Sequence, residues 1–454
     1  MTAGGAAHVV DVQHRVDVQH RYAFVLLGSV QTTLIFTLAA IAVPLPLIGR
    51  EFGLQRPDLI LLSASYGLTF AGLLLFGGRL ADRYGGRRTL AAGLVLFAVA
   101  SAVAPFAPGI GALLAARLVQ GAGAALVAPA AMAVLRVVFP SPTAYGRAMT
   151  TWGGLSVLGA TAGNLLSGVI LSWLSWRWTF VVPLVVAVTA LALASRLLPR
   201  TAPHPGRSLD LPGALLATTG ITLASYGLVV TDIRPWSSAG VLAPLLGGAV
   251  LLGAFLYAER RARDPLLPTR FLLNQRRALA LTAIALSACG TAMTFVVLSL
   301  HLQQTRDWSP LQTSAAFVPF ALALLASGRA TGPLVSRYGA RAVTTAGLGT
   351  GAAGLAFLAS TGLHAHTPYA YGLLPGLVLL SAGTAASFGG AAVLATEGVP
   401  PQQTGLAGGV LNSAMELGPT VLFALLLTLG SDAVSLAATG SALAVAAFLN
   451  HHAK

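Results

Sequence analysis

The chain has 454 residues, of which 56% are hydrophobic and only 9% are charged, whereas an ordinary soluble protein is about 25% charged. So few charges cannot cover the surfaces of soluble domains, and the composition therefore excludes a water-soluble protein and favours one polytopic membrane domain. The net charge of +14 would suit nucleic-acid binding, so the placement of the basic residues must decide. A single cysteine, Cys289, excludes an intramolecular disulfide, a cysteine zinc cluster and an iron–sulfur site.

Apolar runs along the chain predict an all-α protein with fourteen transmembrane helices. Residues 1–21 lack the continuous apolar core of a cleavable signal and are predicted to form a cytoplasmic tail. Each later run of at least about 18 apolar residues is long enough to cross a bilayer. The predicted spans are residues 22–46, 58–77, 89–107, 111–134, 148–172, 178–196, 211–231, 239–258, 277–300, 310–328, 341–361, 370–395, 404–429 and 433–450.

The basic residues fall mainly on one side of these spans. With the N-terminus inside, 21 of the 27 Lys and Arg residues lie on the cytoplasmic side, five lie outside, and Arg117 alone falls within a span. Cytoplasmic loops of membrane proteins carry this excess. The distribution predicts a multi-pass protein of the cell (inner) membrane, embedded in the lipid bilayer, with both termini in the cytoplasm. It also argues against nucleic acid as a partner, because the basic residues are spread over separate loops.

The chain contains an internal duplication. The segment "GPLVSRYGARAVTTAGL" from Gly332 matches "GRLADRYGGRRTLAAGL" from Gly78 at 9 of 17 positions, with an offset of 254 residues. The offset corresponds to eight spans, which equals one half of six spans plus an insert of two spans. The predicted organisation is a tail (1–21), a six-helix half (22–200), a loop and two-helix insert (201–276), a second six-helix half (277–450) and a cytoplasmic tail (451–454). Parallel halves of this kind place a substrate site at their interface.

The first copy of the repeat lies in the segment "GGRLADRYGGRR", residues 77–88, between spans 2 and 3. One interpretation is an ordinary positively charged cytoplasmic loop with helix-breaking glycines. The segment nevertheless closely resembles the signature loop of the major facilitator superfamily. The residues that carry the resemblance are Gly78, Leu80, Asp82, Arg83, Gly85 and Arg87. The resemblance implies that this loop gates the conformational change.

Other segments extend this resemblance over nearly the whole chain. "RLVQGAGAA", which contains Arg117 and Gln120, resembles the span 4 signature of the superfamily. "SWRWTFVVP" (175–183) and "DLPGALL" (210–216) are similar to segments of the fourteen-span drug:proton antiporter family. The resemblance implies the major facilitator fold, with two six-helix halves and a two-helix insert.

Three positions depart from the pattern of that family. The span 5 antiporter signature reads "GATAGN", with Ala160 in place of a proline and Asn164 in place of a glycine. Thr37 stands where span 1 normally carries an aspartate. Met415 and Glu416 replace the usual arginine–glutamine pair of span 13. Antiport in the usual manner of the family is therefore less firmly predicted than the fold.

Glu416 is the only acidic residue in the middle of a predicted span. A charge at that depth costs about 2.5–3.5 kcal/mol on insertion scales, so the carboxyl group should be protonated or face a polar cavity or partner. These are the requirements of a proton-coupling carboxylate, although a protonated glutamate with one interhelical hydrogen bond would also satisfy them. The family resemblance implies that Arg117 tunes a nearby acid, and its alternative role is to hold polar groups structurally.

Further polar residues within the spans are candidates for lining a substrate cavity, and they could equally bond across helices. The candidates are Gln31, Thr37, Gln120, Asn164 and Asn412. All nine histidines fall in tails, loops or span ends, so no buried metal site is expected. The chain lacks the phosphate-binding loop of an ATPase, and no cofactor is expected.

The predicted function is proton-coupled export of small amphiphilic, drug-like molecules or antibiotics by rocking of two halves. Its predicted partners are a small-molecule substrate and protons, and a monomer is the expected state. The alternative is an uptake symporter or facilitator of the same superfamily. An integral membrane enzyme is less favoured, because the spans offer no cluster of nucleophiles, metal ligands or acid–base pairs.

Overall fold

A computed structural model of the protein describes residues 3–200, 211–231, 234–261, 274–364, 366–398, 410–411, 413–415, 418 and 431–452. Every regular element in these ranges is helical. The α-helices are α1 (Ala3–Ala39), α2 (Leu45–Phe52), α3 (Arg56–Tyr84), α4 (Gly86–Val103), α5 (Ile110–Val138), α6 (Pro142–Trp173), α7 (Val181–Leu197), α8 (Leu211–Val230), α9 (Ala239–Arg261), α10 (Gln275–Gln304), α11 (Pro310–Ala316), α12 (Val318–Tyr338), α13 (Ala340–Phe357), α14 (Tyr369–Gly372), α15 (Leu374–Thr396) and α16 (Asp432–His452). The prediction of an all-α protein is confirmed.

Many of these helices are long and apolar enough to cross a membrane. Eleven candidate spans occur among the described residues, and α6 and α8 contain shorter apolar stretches, Leu158–Trp173 and Leu215–Leu228. The predicted span 404–429 lies almost entirely outside the described residues. The fold is therefore that of a polytopic membrane protein, and the count of fourteen spans stays a prediction.

The first predicted span, 22–46, differs from the observed helices at both ends. Helix α1 begins at Ala3, within the predicted tail, and ends at Ala39. A turn over residues 40–44 separates it from α2. Pro44 stands at this break, and proline cannot donate the hydrogen bond that would continue a helix. A short separate helix therefore follows the first long one, where the sequence predicts a single span.

The signature segment 77–88 is not a loop, contrary to the sequence-based prediction. Helix α3 runs to Tyr84 and α4 begins at Gly86, so Gly85 alone separates them. Gly85 has φ 91° and ψ 136°, a conformation that only glycine adopts readily. Gly78, Asp82 and Arg83 thus lie in the last turns of α3, and Arg87 lies in the first turn of α4.

The same junction recurs 254 residues later. Gly339, with φ 83° and ψ 152°, alone separates α12 from α13. The helix pairs α3–α4 and α12–α13 are therefore equivalent elements of the two repeats. The recurrence of this junction is consistent with the duplication inferred from the sequence, and the division into two six-helix halves stays a prediction. We refer to the end of the bundle that contains Gly85 and Gly339 as the junction end, and to the opposite end as the far end.

Glycines bring neighbouring helices close together at equivalent places in both repeats. A Cβ added to Gly93 on α4 would lie 2.8 Å from the carbonyl oxygen of Gly123 on α5. In the second half, a Cβ on Gly383 of α15 would lie 2.6 Å from the carbonyl oxygen of Gly347 on α13. Small residues allow this approach of helix backbones within membranes. Both halves thus contain helices whose backbones pack closely at glycines.

The insert helices α8 and α9 pack beside the first half. The Thr218 hydroxyl on α8 donates to the carbonyl oxygen of Gly72 on α3 at 2.9 Å. Ala217 on α8 and Phe255 on α9 form a small apolar cluster with Phe76 of α3. Helix α3 is therefore shared between the first half and the insert.

Exposed aromatic residues mark both ends of the bundle. At the far end these residues are Phe106, Trp173, Trp178, Trp236 and Tyr371. At the junction end they are Tyr22, Tyr84, Tyr257 and Tyr338. Tryptophan and tyrosine concentrate where a membrane protein meets the lipid headgroups. The two sets agree with helices that cross a bilayer between the two ends.

Candidate functional site

Arg117 lies at the centre of a buried polar network in the first half. It belongs to α5, and only 1% of its surface is exposed. Its Nη1 donates to the carbonyl oxygen of Thr37 on α1 at 3.0 Å and to Oε1 of Gln120 at 3.2 Å. Arg117 and Gln120 are three residues apart, so both side chains lie on one face of the helix. Three predicted site residues thus meet at one place.

The network continues to α3 and α4 through residues that the sequence analysis did not single out. Nε2 of Gln120 donates to the Ser101 hydroxyl on α4 at 2.7 Å. Arg117 Cζ lies 4.9 Å from the centroid of the Tyr66 ring on α3, at cation–π distance. The Tyr66 hydroxyl donates to the carbonyl oxygen of Leu34 at 3.1 Å. The network therefore joins four helices, α1, α3, α4 and α5.

Two nitrogen donors of Arg117 remain unused. Nε and Nη2 are buried and have no hydrogen-bond partner among the residues that the structure describes. These two nitrogens form one edge of the guanidinium, the edge that binds a carboxylate through two parallel hydrogen bonds. A buried donor without a partner costs about 1–3 kcal/mol, and more when it is charged. Arg117 thus holds a charged, unsatisfied edge inside the first half.

Thr37 meets Arg117 through its backbone and not through its side chain. The carbonyl oxygen of Thr37 accepts the bond from Arg117, whereas the Thr37 hydroxyl donates to the carbonyl oxygen of Thr33 at 2.8 Å. An aspartate at position 37, as the family pattern has it, could bring a negative charge to the arginine. In this chain the position supplies only a dipole.

Gln31 joins α1 to α6 nearer the junction end. Its Nε2 donates to the Ser156 hydroxyl at 3.1 Å, while its Oε1 is buried without a hydrogen-bond partner. The indole N–H of Trp152, one turn earlier on α6, is likewise buried without a partner. An unused acceptor and an unused donor therefore lie along the packed faces of α1 and α6.

Asn164 lies where the two halves touch. Its Nδ2 donates to the carbonyl oxygen of Ala160 at 3.0 Å, and its Oδ1 is buried without a partner. Its own carbonyl oxygen accepts a bond from the Ser314 hydroxyl on α11 at 2.8 Å. A Cβ on Gly168, one turn further along α6, would overlap the Ser314 side chain. The altered span 5 signature thus belongs to a tight contact between the halves.

Two other polar contacts between the halves lie at the far end as well. Nε2 of Gln303 on α10 donates to the carbonyl oxygen of Val43, in the turn after α1, at 3.0 Å. Arg56, at the start of α3, forms an ion pair with Asp432, at the start of α16. The far ends of the two halves are therefore joined in the described conformation.

An ion pair within the first half holds α2 in place at the same end. Arg177 donates to both oxygens of Glu51, at 2.5 Å and 3.1 Å, and Nε1 of Trp176 donates to Glu51 at 2.6 Å. These hydrogen bonds hold the pKa of the Glu51 carboxyl below its ordinary value. Nε of Arg177 also donates to the carbonyl oxygen of Pro105 at 3.0 Å. The segment "SWRWTFVVP" thus anchors α2, a role that its family resemblance does not indicate.

Arg87, one of the predicted gating residues, stabilises the end of a helix. Its Nη1 donates to the carbonyl oxygen of Leu198, just after α7, at 3.1 Å. The equivalent residue Arg341 donates to the carbonyl oxygens of Asn450 and His451 on α16, at 2.7 Å and 2.9 Å. Cations are favoured at the carboxyl ends of helices. In both halves this arginine ties the repeated junction to the last helix of that half.

The remaining predicted gating residues surround the same junction. Asp82 and Arg83 are partly buried in the last turn of α3, and Arg83 Cζ lies 5.7 Å from the centroid of the neighbouring Tyr84 ring. A Cβ on Gly78 would lie 3.8 Å from the Pro129 side chain on α5, an ordinary contact distance. The structure thus brings the motif together at one helix end.

Two predicted site residues, Glu416 and Asn412, lie outside the described residues. Their proposed places in proton coupling and in the cavity remain predictions. Within the ranges that the structure describes, no three His, Cys, Asp or Glu side chains come together where they could hold a metal ion. The chemistry of the described site rests on arginine, amide and hydroxyl groups.

Eleven long apolar helices in the described part of the chain and a helix junction that recurs at Gly85 and Gly339 define a polytopic membrane protein with an internal repeat. The chain belongs to the Major Facilitator Superfamily, whose family model matches residues 25–423. Its members are transporters and not enzymes. The resemblance stated from the signature residues is confirmed.

Antibiotic exporters and resistance proteins are among the proteins to which the chain is similar. The chain is 36% identical to the cephamycin export protein of Amycolatopsis lactamdurans, over 91% of this chain and 85% of that protein. It is 35% identical to the puromycin resistance protein of Streptomyces alboniger, over 91% and 82%. It is 33% identical to the lincomycin resistance protein of Streptomyces lincolnensis, over 89% and 83%.

Solved structures share the fold at low sequence identity. A peptide transporter of the POT type superimposes with a TM-score of 0.68 at 16% identity, covering 95% of this chain and 94% of that one. The human organic anion transporter MFSD10 superimposes with a TM-score of 0.63 at 18% identity, covering 94% and 98%. The major facilitator fold predicted from the sequence is therefore confirmed.

Proposed function

We propose that the protein is a proton-coupled antiporter that exports small amphiphilic, drug-like molecules or antibiotics. The observation that carries this proposal is the similarity, at 33–36% identity over about nine-tenths of the chain, to proteins named for cephamycin export and for resistance to puromycin and lincomycin. The three drugs differ in chemistry, so the similarity supports the class of substrate and not one compound.

We place the protein in the cell (inner) membrane as a monomer with fourteen spans and both termini in the cytoplasm. The excess of basic residues at the junction end supports this orientation, because cytoplasmic loops retain Lys and Arg. The junction end then faces the cytoplasm and the far end faces outward. Since the described halves are joined at the far end, this conformation suits loading from the cytoplasmic side.

The substrate cavity is proposed to lie between the halves, with Gln31, Thr37, Gln120, Asn164 and Asn412 as candidate contacts. The four of these that are described are buried in contacts between helices. Gln31 and Asn164 nevertheless keep an amide oxygen without a hydrogen-bond partner. A rocking movement that separates α6 from α11 would free Asn164 to accept a hydrogen bond from a substrate.

Proton coupling is proposed to rest on Glu416 and Arg117. A guanidinium edge without partners binds a carboxylate and has no comparable affinity for a protonated acid. A charged network of this kind therefore responds to the protonation of an acid that comes within reach. Thr37 supplies no acid to Arg117, which leaves Glu416 as the proposed proton carrier.

The test is transport in inverted membrane vesicles from a host that lacks its own drug exporters. An imposed proton gradient should drive drug accumulation opposite to proton movement in the wild type. Glu416→Gln should lose this uphill transport and retain downhill exchange, whereas Glu397→Gln, a matched change at an exposed helix end, should behave like the wild type. Accumulation in the direction of proton movement would indicate a symporter, which the altered span 5 signature at Ala160 and Asn164 leaves open.

A further inference from the structure

The ion pair between Arg56 and Asp432 joins residues 376 positions apart in the chain. Arg56 is the first residue of α3, and its helix start is fixed by a capping box formed by Gln55 and Asp58. Asp432 is the first residue of α16, and the Ser431 hydroxyl accepts a bond from the N–H of Val434. Both charges therefore sit on rigid helix ends, so the ion pair reports the distance between the two halves.

The surroundings of this ion pair add two further contacts between the halves at the same end. The Gln303–Val43 bond involves the turn between α1 and α2, and the Ser314–Asn164 bond joins α6 to α11. Neither of these bonds involves two charged groups. The Arg56–Asp432 pair is thus the contact among the three whose strength depends directly on charge.

We propose that Arg56 and Asp432 form a latch that holds the far end closed and must separate before the halves can open on that side. This inference rests on the proposed alternating-access function. With side chains 43% and 24% exposed, the pair is partly hydrated. An ion pair of this exposure shifts an equilibrium about two- to five-fold. The latch therefore shifts the equilibrium between the two conformations and does not hold the protein permanently in one of them.

The first half offers a matched control pair. Glu51 and Arg177 lie at the same end, are comparably exposed, and are joined by hydrogen bonds within one half. Neutralising Glu51 removes an ion pair from the far end without removing a link between the halves. The latch proposal requires that the two pairs respond differently.

The experiment measures the accessibility of the contact between the halves. Ser314→Cys places a thiol opposite Asn164, and the native Cys289 is fully buried, so its background reaction is low and can be measured in the chain without the added thiol. Sealed cells are treated with a membrane-impermeant maleimide. Arg56→Gln and Asp432→Asn should each raise the labelling rate of Cys at position 314 about two- to five-fold. Glu51→Gln should not raise it.

The charge exchange Arg56→Asp with Asp432→Arg separates loss of the ion pair from general loosening of the fold. This double variant should return the labelling rate toward that of the parent. Unchanged labelling in both single variants, or an equal rise in Glu51→Gln, would overturn the proposal. Labelling needs neither substrate nor proton gradient, so altered labelling in a protein without drug export would refute the proposed function and leave the latch standing.

Discussion

Arg117 is a buried charged residue that needs stabilising contacts from several helices. Its three stabilising contacts come from three different helices, yet its Nε and Nη2 donors have no partner among the described residues. Arginine keeps its charge under all ordinary conditions. A residue that is permanently charged, fully buried and incompletely bonded is poorly explained by stability alone, because an apolar residue of similar size would avoid the cost.

We predict that Arg117→Lys lowers drug export about ten-fold or more while the protein still reaches the membrane. Lysine cannot keep the planar edge of the guanidinium, and the Thr37 carbonyl or the Gln120 side chain would lose its donor at about 1–3 kcal/mol. Each 1.4 kcal/mol corresponds to about ten-fold. Arg50→Lys, an exposed change on α2, is the control. Equal export rates in vesicles for both variants would contradict the prediction.

At the scale of elements, the Glu51–Arg177 pair keeps the short helix α2 against the segment at residues 176–180. Both side chains are more than a third exposed, so the pair stabilises the fold by about 0.2–1 kcal/mol. The partners lie 126 residues apart, and the pairing depends on how the far ends of the helices assemble. This is why the sequence gives no local signal for the pair.

The pH dependence of this pair has a definite sign. The pKa of the Glu51 carboxyl is lower in the folded protein than in the unfolded chain. The ion pair therefore stabilises the folded protein fully above the ordinary pKa of a glutamate, and this stabilisation disappears as the pH falls through the lowered pKa. We predict that the wild type melts at a higher temperature than Glu51→Gln at pH 7, and that the difference vanishes at acidic pH. Thermal unfolding in detergent between pH 7 and pH 3 measures it. A difference that grows on acidification would refute the assignment.

A second prediction at this scale concerns the one-residue junction at Gly85. Alanine at φ 91° and ψ 136° would be strained by about 1–3 kcal/mol. Gly85→Ala should therefore lower the melting temperature, whereas Gly111→Ala, at a helix position with open space around it, should not. Gly339→Ala should resemble Gly85→Ala, because the backbone is nearly the same. Similar melting of the Gly85 and Gly111 variants would show that the junction tolerates another conformation.

At the scale of the whole molecule, the two repeats differ in their only acidic residue, and two arginines of the first copy, Arg79 and Arg88, are also absent from the second. Asp82 in the last turn of α3 corresponds to Ser336 in the last turn of α12, and the Ser336 hydroxyl is satisfied by the carbonyl oxygen of Pro333 at 2.8 Å. We predict that Asp82→Asn shifts the balance between conformations and lowers transport without abolishing drug binding, while Ser336→Ala is nearly silent. Transport rates and binding by both variants are the measurements. Comparable losses of transport would show that the second junction works without a charge.

The sequence predicted those features that depend on local pattern. Apolar runs predict the helices, and the repeat at Gly78 and Gly332 predicts two equivalent halves. Glycine and arginine at fixed spacing mark the positions of the junctions. The spacing does not reveal that each junction is a single residue. The partners of Arg117 on α3 and α4, and the contacts between the halves, could not be predicted, because they depend on the rotation and packing of helices distant in sequence. The position of the insert beside α3 follows from the same tertiary packing.

Arg87 and Arg341 show how the junction of each repeat is held in place. Each donates to a backbone carbonyl near the end of its own repeat, so each junction is anchored within the repeat to which it belongs. The two copies differ at Asp82 and Ser336 and share this arginine, so the common part of the junction is the contact that anchors it, and the acidic charge belongs to one copy alone.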